Sequence, residues 1–391
     1  MRLILLLILA VGLVGFFLFG PRIVEKVQNR VVSHDPWPVS PAARAMHARL
    51  IIGDWHADSL LWDRDLAQRS SVGHVDLPRL REGNVAVQVF TTVTKSPAGL
   101  NYDTNPSDAR DDITLLSIAQ LRPLESWFDL TERALAQATA LKALADDRPD
   151  ELRLIRSRAD LAQVLADRDA GSTVIGAILG AEGGHALSGD IANLDRLHDA
   201  GFRLMGLTHF FDNELGASLH GEAGGDGGLT EFGRQVVERM VERRMIIDLA
   251  HASPKMAREV LAMVDVPVIV SHTGTHGHCP THRNFPDDLM REITEKGGLI
   301  GIGFWEEVTC DATPKGVARA IAAAVALVGE DHVSIGSDFD GAIETSFDVS
   351  ELPALTQALI DEGLEESAIA KVMGRNMIRF LERALPEGPA S

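Results

Sequence analysis

Cysteine is almost absent from this chain: Cys279 and Cys310 are the only two among 391 residues. Two are too few for a disulfide framework. They are expected as free thiols, with a bond between them as the minor alternative in an oxidising compartment. Positive charge is also scarce, 37 Lys and Arg against 56 Asp and Glu, a net of −19. The basic footprint of a nucleic-acid partner is therefore missing. The acidity favours solubility and attracts cations, and is silent on fold. No internal repeat or low-complexity block occurs. No glycine-rich dinucleotide fingerprint follows the first apolar strand, which counts against an open doubly wound sheet. The remaining composition, 45% hydrophobic and 24% charged, is that of a globular chain with a large core.

There is one long charge-free run, Leu3 to Gly20, between Arg2 and Arg22. It is roughly the length needed to cross a bilayer. No small-x-small cleavage site follows it, so an uncleaved anchor is expected rather than a signal peptide. Positive charge on both flanks leaves its orientation open. Residues 1–34 are accordingly expected to be a transmembrane anchor or signal with its juxtamembrane segment, followed by the proline-containing linker His34 to Pro41. Residues 35–391 form the expected single folded domain.

In that domain, short β-branched runs alternate with helical patterns. The strands are expected at Arg49–Asp54, Val85–Val93, Thr173–Glu182, Arg203–His209, Met245–His251, Val266–His272, Gly298–Phe304 and His332–Asp340. Leu229–Arg244 and Thr313–Gly329 read as helices between them, and Ser253 followed by Pro254 is a helix start. Eight such alternations predict an α/β fold, a (β/α)8 TIM barrel. Asn101–Arg156 is expected as a helical insertion after the second strand, and the C-terminal tail as helices packed outside the barrel.

Barrel chemistry sits at the C-terminal ends of the strands. Here those ends carry His56 and Asp58, then Glu182, His209, His251, His272 and Asp338. A lone histidine ending a strand is more often a satisfied polar residue than a ligand. The inference rests on ligand types recurring at one topological position. Three histidines and two carboxylates exceed one tetrahedral site and suit two metals sharing a carboxylate. His56 and Asp58, two apart, face one side of a strand and could bind one ion. His251 and His272 could bind a second, with Glu182 between. Asp338 and Asp340 share a face, so spacing alone does not choose between them. Asp54 is expected to orient a ligand, and His185 to be structural. His276, His278 and His282 are expected in a polar substrate-facing loop rather than in a third metal site.

The ordered set "GDWHADS", "GAEGGHAL", "LTHFFDNELG", "IDLAHAS", "VSHTG" with "HRNFPDD", and "GSDFDG" resembles the renal-type (membrane) dipeptidases of the amidohydrolase superfamily. The resemblance spans about Leu50 to Leu385. It implies two zinc ions per chain, one held by His56, Asp58 and Glu182 and the other by Glu182, His251 and His272. It implies hydrolysis of dipeptides by a metal-bridging hydroxide. His209 would bind the scissile carbonyl oxygen, Arg283 the substrate carboxylate, and Asp338 would shuttle the proton. It further implies an extracytoplasmic or periplasmic domain on a membrane anchor, and a homodimer as the family's common assembly. The alternative is a metal-dependent amidohydrolase acting on another small amide or ester, such as an N-acyl amino acid or lactone. A catalytically silent binding barrel is disfavoured because no ligand or proton shuttle is missing.

Overall fold

The computed structural model describes residues 2–388. Eight parallel strands follow one another around a ring: β1 (Ile52–Ala57), β2 (Val85–Val93), β3 (Ile175–Glu182), β4 (Phe202–Gly206), β5 (Ile246–Asp248), β6 (Ile269–Thr273), β7 (Leu299–Ile302) and β8 (Val333–Ile335). The ring closes where β8 lies beside β1, with Ile335 opposite Asp54. This is the expected (β/α)8 barrel. β4, β5, β7 and β8 stop short of the apolar patterns, and His209, His251 and Asp338 lie in the turns that follow rather than in the ladder.

The connecting helices start where their caps predict. Thr230, Ser253 and Thr313 each accept a hydrogen bond from the backbone N–H three residues on, at 2.9, 3.0 and 3.1 Å. Each satisfies a donor that the first helical turn leaves unpaired. The insertion after β2 is mostly helical, with Asp112–Ala119 and Leu130–Asp147 as its main helices. It ends in a short strand, Leu152–Leu154, that pairs with β3 outside the ring.

The core has two layers. The larger cluster packs strand residues such as Phe90, Leu179, Ile247 and Ile300 against the surrounding helices. The smaller one takes Trp55, Val89, Ile178, Leu204, Ile246, Ile269 and Leu299 among its residues from β1 to β7. Met377, Phe380 and Leu381 of the last helix, Asn376–Ala384, belong to it, and Phe380 meets Trp55 edge-on at 5.5 Å. That helix therefore closes the floor of the barrel instead of only packing outside it. Side chains two apart share a strand face. Above Ile246 and Ile269 stand Asp248 and Ser271, and four residues above Ile178 stands Glu182, so the interior turns polar toward the mouth.

Two expectations are corrected. Cys279 and Cys310 are joined by a disulfide. They come from segments that only the fold brings together, the loop after β6 and the short helix after β7. The second correction concerns the N-terminus. Residues Arg2–Gln28 form one helix, α1, but among the described residues no helix is long and apolar enough to cross a membrane. The transmembrane anchor, and the membrane-anchored placement built on it, are not supported. The side chains of residues 2–11 and of Leu13 lie outside the described part. What is described shows a helix continuous with the catalytic domain. It runs on through Pro21, Arg22, Glu25 and Lys26, and buried Glu25 pairs with Arg64 of the barrel mouth.

Candidate functional site

The barrel fold carries its polar residues to one rim. His56 is the penultimate residue of β1 and Asp58 directly follows the strand, Glu182 is the last residue of β3, and His272 lies in β6. His209, His251 and Asp338 each sit three residues past a strand end, at Gly206, Asp248 and Ile335. His251 and Asp338 hold left-handed backbone, with φ of +63° and +61°. Such angles cost a non-glycine residue free energy and concentrate at functional sites. They explain why the strand patterns run past the ladders.

Glu182 is the centre. Its Oε1 lies 3.4 Å from His56 Nε2, 3.4 Å from His251 Nε2 and 3.5 Å from His272 Nε2. Its Oε2 lies 3.4 Å from His209 Nε2. Asp58 and Asp338 approach His56 Nε2 at 3.4 and 3.8 Å. All seven side chains are buried. The predicted set thus converges. Triads that could hold an ion include His56–Glu182–His272, Glu182–His209–His251 and His56–Asp58–Asp338. His251 and His272, which the family resemblance puts together with Glu182, are equally close, with Nε2 atoms 2.9 Å apart and 3.4 and 3.5 Å from Glu182 Oε1.

Does such a cluster fit metal ions? Three observations say that it does. His56 Nε2 is buried with no hydrogen-bond partner, although it faces three carboxylates. Buried polar atoms are normally paired, so this one lacks its partner. His251 Nε2 and His272 Nε2 converge to 2.9 Å, and with both protons on Nδ1 the two lone pairs would face a shared cation. The carboxyls carry an electrostatic cost: burial, reinforced by Asp58, pushes Glu182 well above the ordinary range. Burial likewise pushes Asp338 up to about 8, with Asp58 adding to it and His56 and Arg283 opposing. Burial disfavours the charged form of His56, but Asp58, Glu182 and Asp338 overcome it and raise it to about 10. Burial holds His209 down at about 4 and His251 and His272 well below their usual value. His209, His251 and His272 are thus neutral imidazoles, the form that metals take, and a cation in the cluster would replace the protons that His56, Glu182 and Asp338 otherwise hold.

Supporting contacts fix the donors. Thr91 Oγ1 donates to Asp58 at 2.5 Å, and Ser271 Oγ lies 2.8 Å from His272 Nδ1. Asp54 accepts from Ser337 N–H at 2.8 Å, Ser337 Oγ at 2.6 Å and Gln88 Nε2 at 3.2 Å. It thereby locks β1 to β2 and β8 beneath His56, the orienting role expected of it. Asp248, unremarked in the sequence, does the same between β5 and β6 by accepting from Ala250 and Ser271 N–H at 3.0 and 2.9 Å.

The cluster opens into a cavity of about 410 Å³, lined by Asp58, Glu182, His209, His251, Arg283 and Asp338 among others. Arg283 is fully buried there. Its Nη2 donates to the His272 carbonyl at 2.8 Å, while Nε and Nη1 have no partner. Its guanidinium lies 5.5 Å from the Trp305 ring centre. Asp340 is separated from Asp338 by its surroundings: it pairs with Arg64 and accepts from Ser59 Oγ at 2.6 Å and His74 N–H at 2.6 Å. His185 is buried beside Phe211 and outside the three triads. His276 and His282 bond backbone carbonyls of Thr281 and Leu219, at 3.2 and 2.8 Å. Tyr102, Trp305 and His220 went unnoticed in the sequence. Trp305 Nε1 donates to the Tyr102 hydroxyl at 3.0 Å, and both rings line the cavity. His220 Nδ1 lies 2.7 Å from the Tyr102 carbonyl. Tyr102 is the chain's single tyrosine, inside an insertion whose path no periodicity reveals.

Fold and site together define a (β/α)8 barrel with a metal-ligand cluster at its C-terminal mouth. The chain belongs to the membrane dipeptidase family (Peptidase family M19), whose model matches residues 41–386. It is 29% identical over 352 residues to the dipeptidase aclJ of Aspergillus oryzae, across 85% of this chain and 78% of that protein. Among solved structures it resembles the dipeptidase AC, a metallopeptidase of family M19, at 26% identity and a TM-score of 0.70, covering 86% of this chain and 99% of the other. A metallopeptidase from Rhodobacter sphaeroides, bound to a phosphinate mimic of the dipeptide L-Ala-D-Ala, is similar to the same extent: 26% identity, TM-score 0.70, 86% and 99% coverage.

Proposed function

We propose that this chain is a dipeptidase that works with two zinc ions. The observation that carries the reading is the Glu182 carboxylate, ringed by His56, His251 and His272 within 3.5 Å. His56, Asp58 and Glu182 would hold one ion, and Glu182, His251 and His272 the other. When bound, the ions would supply a nucleophilic water at neutral pH and polarise the peptide carbonyl.

The remaining steps belong to protein groups. Arg283, whose Nε and Nη1 have no partner, receives the substrate's C-terminal carboxylate as a fixed cation with free donors. His209 is kept neutral by burial. With its proton on Nε2 it donates to the carbonyl oxygen as charge develops, which gives up the Nδ1 contact to the Lys95 carbonyl at 3.4 Å. Asp338 lines the cavity and accepts a proton from the attacking water, then returns it to the leaving amine.

The test is metal content per chain together with turnover on L,L- and L,D-dipeptides and on N-acyl amino acids. Two zinc ions, dipeptide hydrolysis, and loss of activity on chelation with recovery on zinc are expected. Full activity in a chain shown by elemental analysis to be metal-free defeats the reading. Turnover of N-acyl amino acids alone replaces it with the amidohydrolase alternative.

A further inference from the structure

The cavity is not built by the barrel alone. Val24 and Gln28 of α1 line it, on the side away from the buried ligand cluster. Both are solvent-exposed along their outer edge, whereas Pro21, Glu25 and Asn29 are buried. The buried positions recur every four residues, which marks one face of the helix as a seam against the barrel.

The seam is polar and specific. Arg64 pairs with Glu25 through Nη1 and with Asp340 through Nη2. All three side chains are buried. Asn29 Oδ1 accepts from the Ala342 N–H at 2.8 Å. Arg30–Val31 then pairs with Glu344–Thr345 as a parallel two-stranded ladder, and Val32 N–H donates to the Thr345 carbonyl at 2.8 Å. Residues 21–32 and the segment that follows Asp338 are therefore one unit. Apolar residues complete the same wall: Leu100, Ile113 and Leu116 from the insertion face the cavity with Val24. At about 410 Å³ the cavity lies near the small end of ligand sites, roughly 300–1,000 Å³.

We propose that residues 21–32 are the outer wall of the substrate cavity. They limit the substrate to two residues, and with Leu100, Ile113 and Leu116 they form a subsite for an apolar side chain. The inference rests on the dipeptidase reading and deepens it: the preferred substrates are dipeptides carrying a hydrophobic residue, and longer peptides are excluded by α1 rather than by the barrel.

The experiment uses the full chain loaded with zinc. The wild type and the Val24→Ala/Gln28→Ala double variant are assayed on Ala-Ala, Leu-Ala and Ala-Ala-Ala. The double variant should raise the tripeptide-to-dipeptide ratio of kcat/KM about tenfold and lower the preference for Leu-Ala over Ala-Ala by a similar factor. Unchanged ratios overturn the proposal. In a second arm, Glu25→Gln loosens the seam without touching the cavity lining, and amide hydrogen exchange at Val32 and Ala342 reports the loosening. Faster exchange with the same selectivity shift supports the wall. Faster exchange with wild-type selectivity means that α1 is only a brace, and the proposal fails. A wild type inert on every peptide defeats the dipeptidase reading itself, a result distinct from either variant outcome.

Discussion

Asp338 and Asp340 are two apart in the same tetrapeptide, yet the fold gives them opposite tasks. Asp340 is enclosed by Arg64, Ser59 and His74, and despite burial these neighbours hold its carboxyl well below the usual range. It is a fixed anion that shapes the loop. Asp338 faces the cavity with few donors, and burial raises it to about 8 in the metal-free site. Spacing could not separate them because the difference lies in distant partners. Arg283 is the other residue whose neighbours decide its role. A fully buried guanidinium with two unpartnered donors is costly unless an anion completes it. Charge-assisted hydrogen bonds contribute about 1.5–3 kcal/mol each. Arg283→Ala should therefore raise KM for dipeptides roughly ten- to hundredfold, and a dipeptide amide, lacking the carboxylate, should be nearly indifferent to the change. Arg283→Lys should recover only part, since an ammonium cannot reproduce the fork. Steady-state kinetics on the acid and amide pair decides it. An equal KM in wild type and Arg283→Ala removes Arg283 from carboxylate recognition.

At the scale of elements, local signals were legible and long-range ones were not. Thr230, Ser253 and Thr313 announce helix starts because a cap is a bond across three residues. The eight barrel strands were readable because strands buried on both faces are continuous apolar runs. The ligand set was readable because barrel topology sends strand ends to one rim. Three features escaped: the floor made by Phe380 and its helix, the docking of α1 through Glu25, and the Cys279–Cys310 bond. Each joins segments far apart in sequence, and none leaves a periodic trace. The disulfide shows the consequence. It closes a loop of sequence separation 31 that includes Arg283 and Trp305. Chain entropy assigns such a closure about 3–4 kcal/mol. Cys279→Ala/Cys310→Ala should lower stability by about that amount in urea unfolding, and should raise KM more than it lowers kcat, because the loop holding Arg283 loses its tether. A stability change under about 0.5 kcal/mol, the size of an ordinary surface substitution, would show that the packing around Asn284 and Thr281 already holds the loop.

For the whole molecule, the question is what keeps the ring of strands and its outer segments assembled as conditions change. His47 sits at one such junction. Its Nδ1 is 2.8 Å from Thr356 Oγ1, and its Nε2 is 3.1 Å from the Gly83 carbonyl. The neutral ring satisfies both, with Nε2–H donating to the carbonyl and Nδ1 accepting from the hydroxyl. It thereby links the helix Pro41–His47, which leads into β1, to the turn before β2 and to the C-terminal helix Leu352–Asp361. Burial lowers this histidine to about 4, although the Gly83 bond opposes the shift. In the unfolded chain it titrates near 6.5. Above that pH both states are neutral and His47 confers no pH dependence. Between about 6.5 and 4 only the unfolded chain takes the proton, so stability falls with decreasing pH by about 1.4 kcal/mol per unit. Below about 4 the folded state is protonated too and the loss levels off near 3 kcal/mol. Other buried groups titrate in the same range with either sign, and the carboxyls of the metal site oppose the trend. The measurement is therefore a difference: urea unfolding of wild type and His47→Gln from pH 8 to pH 4. The wild type's advantage should be constant above pH 7 and shrink by about 3 kcal/mol toward pH 4. An advantage that stays level across that range would mean that the ring takes up its proton in the fold as readily as in the unfolded chain, and that the junction is held by something other than a neutral imidazole.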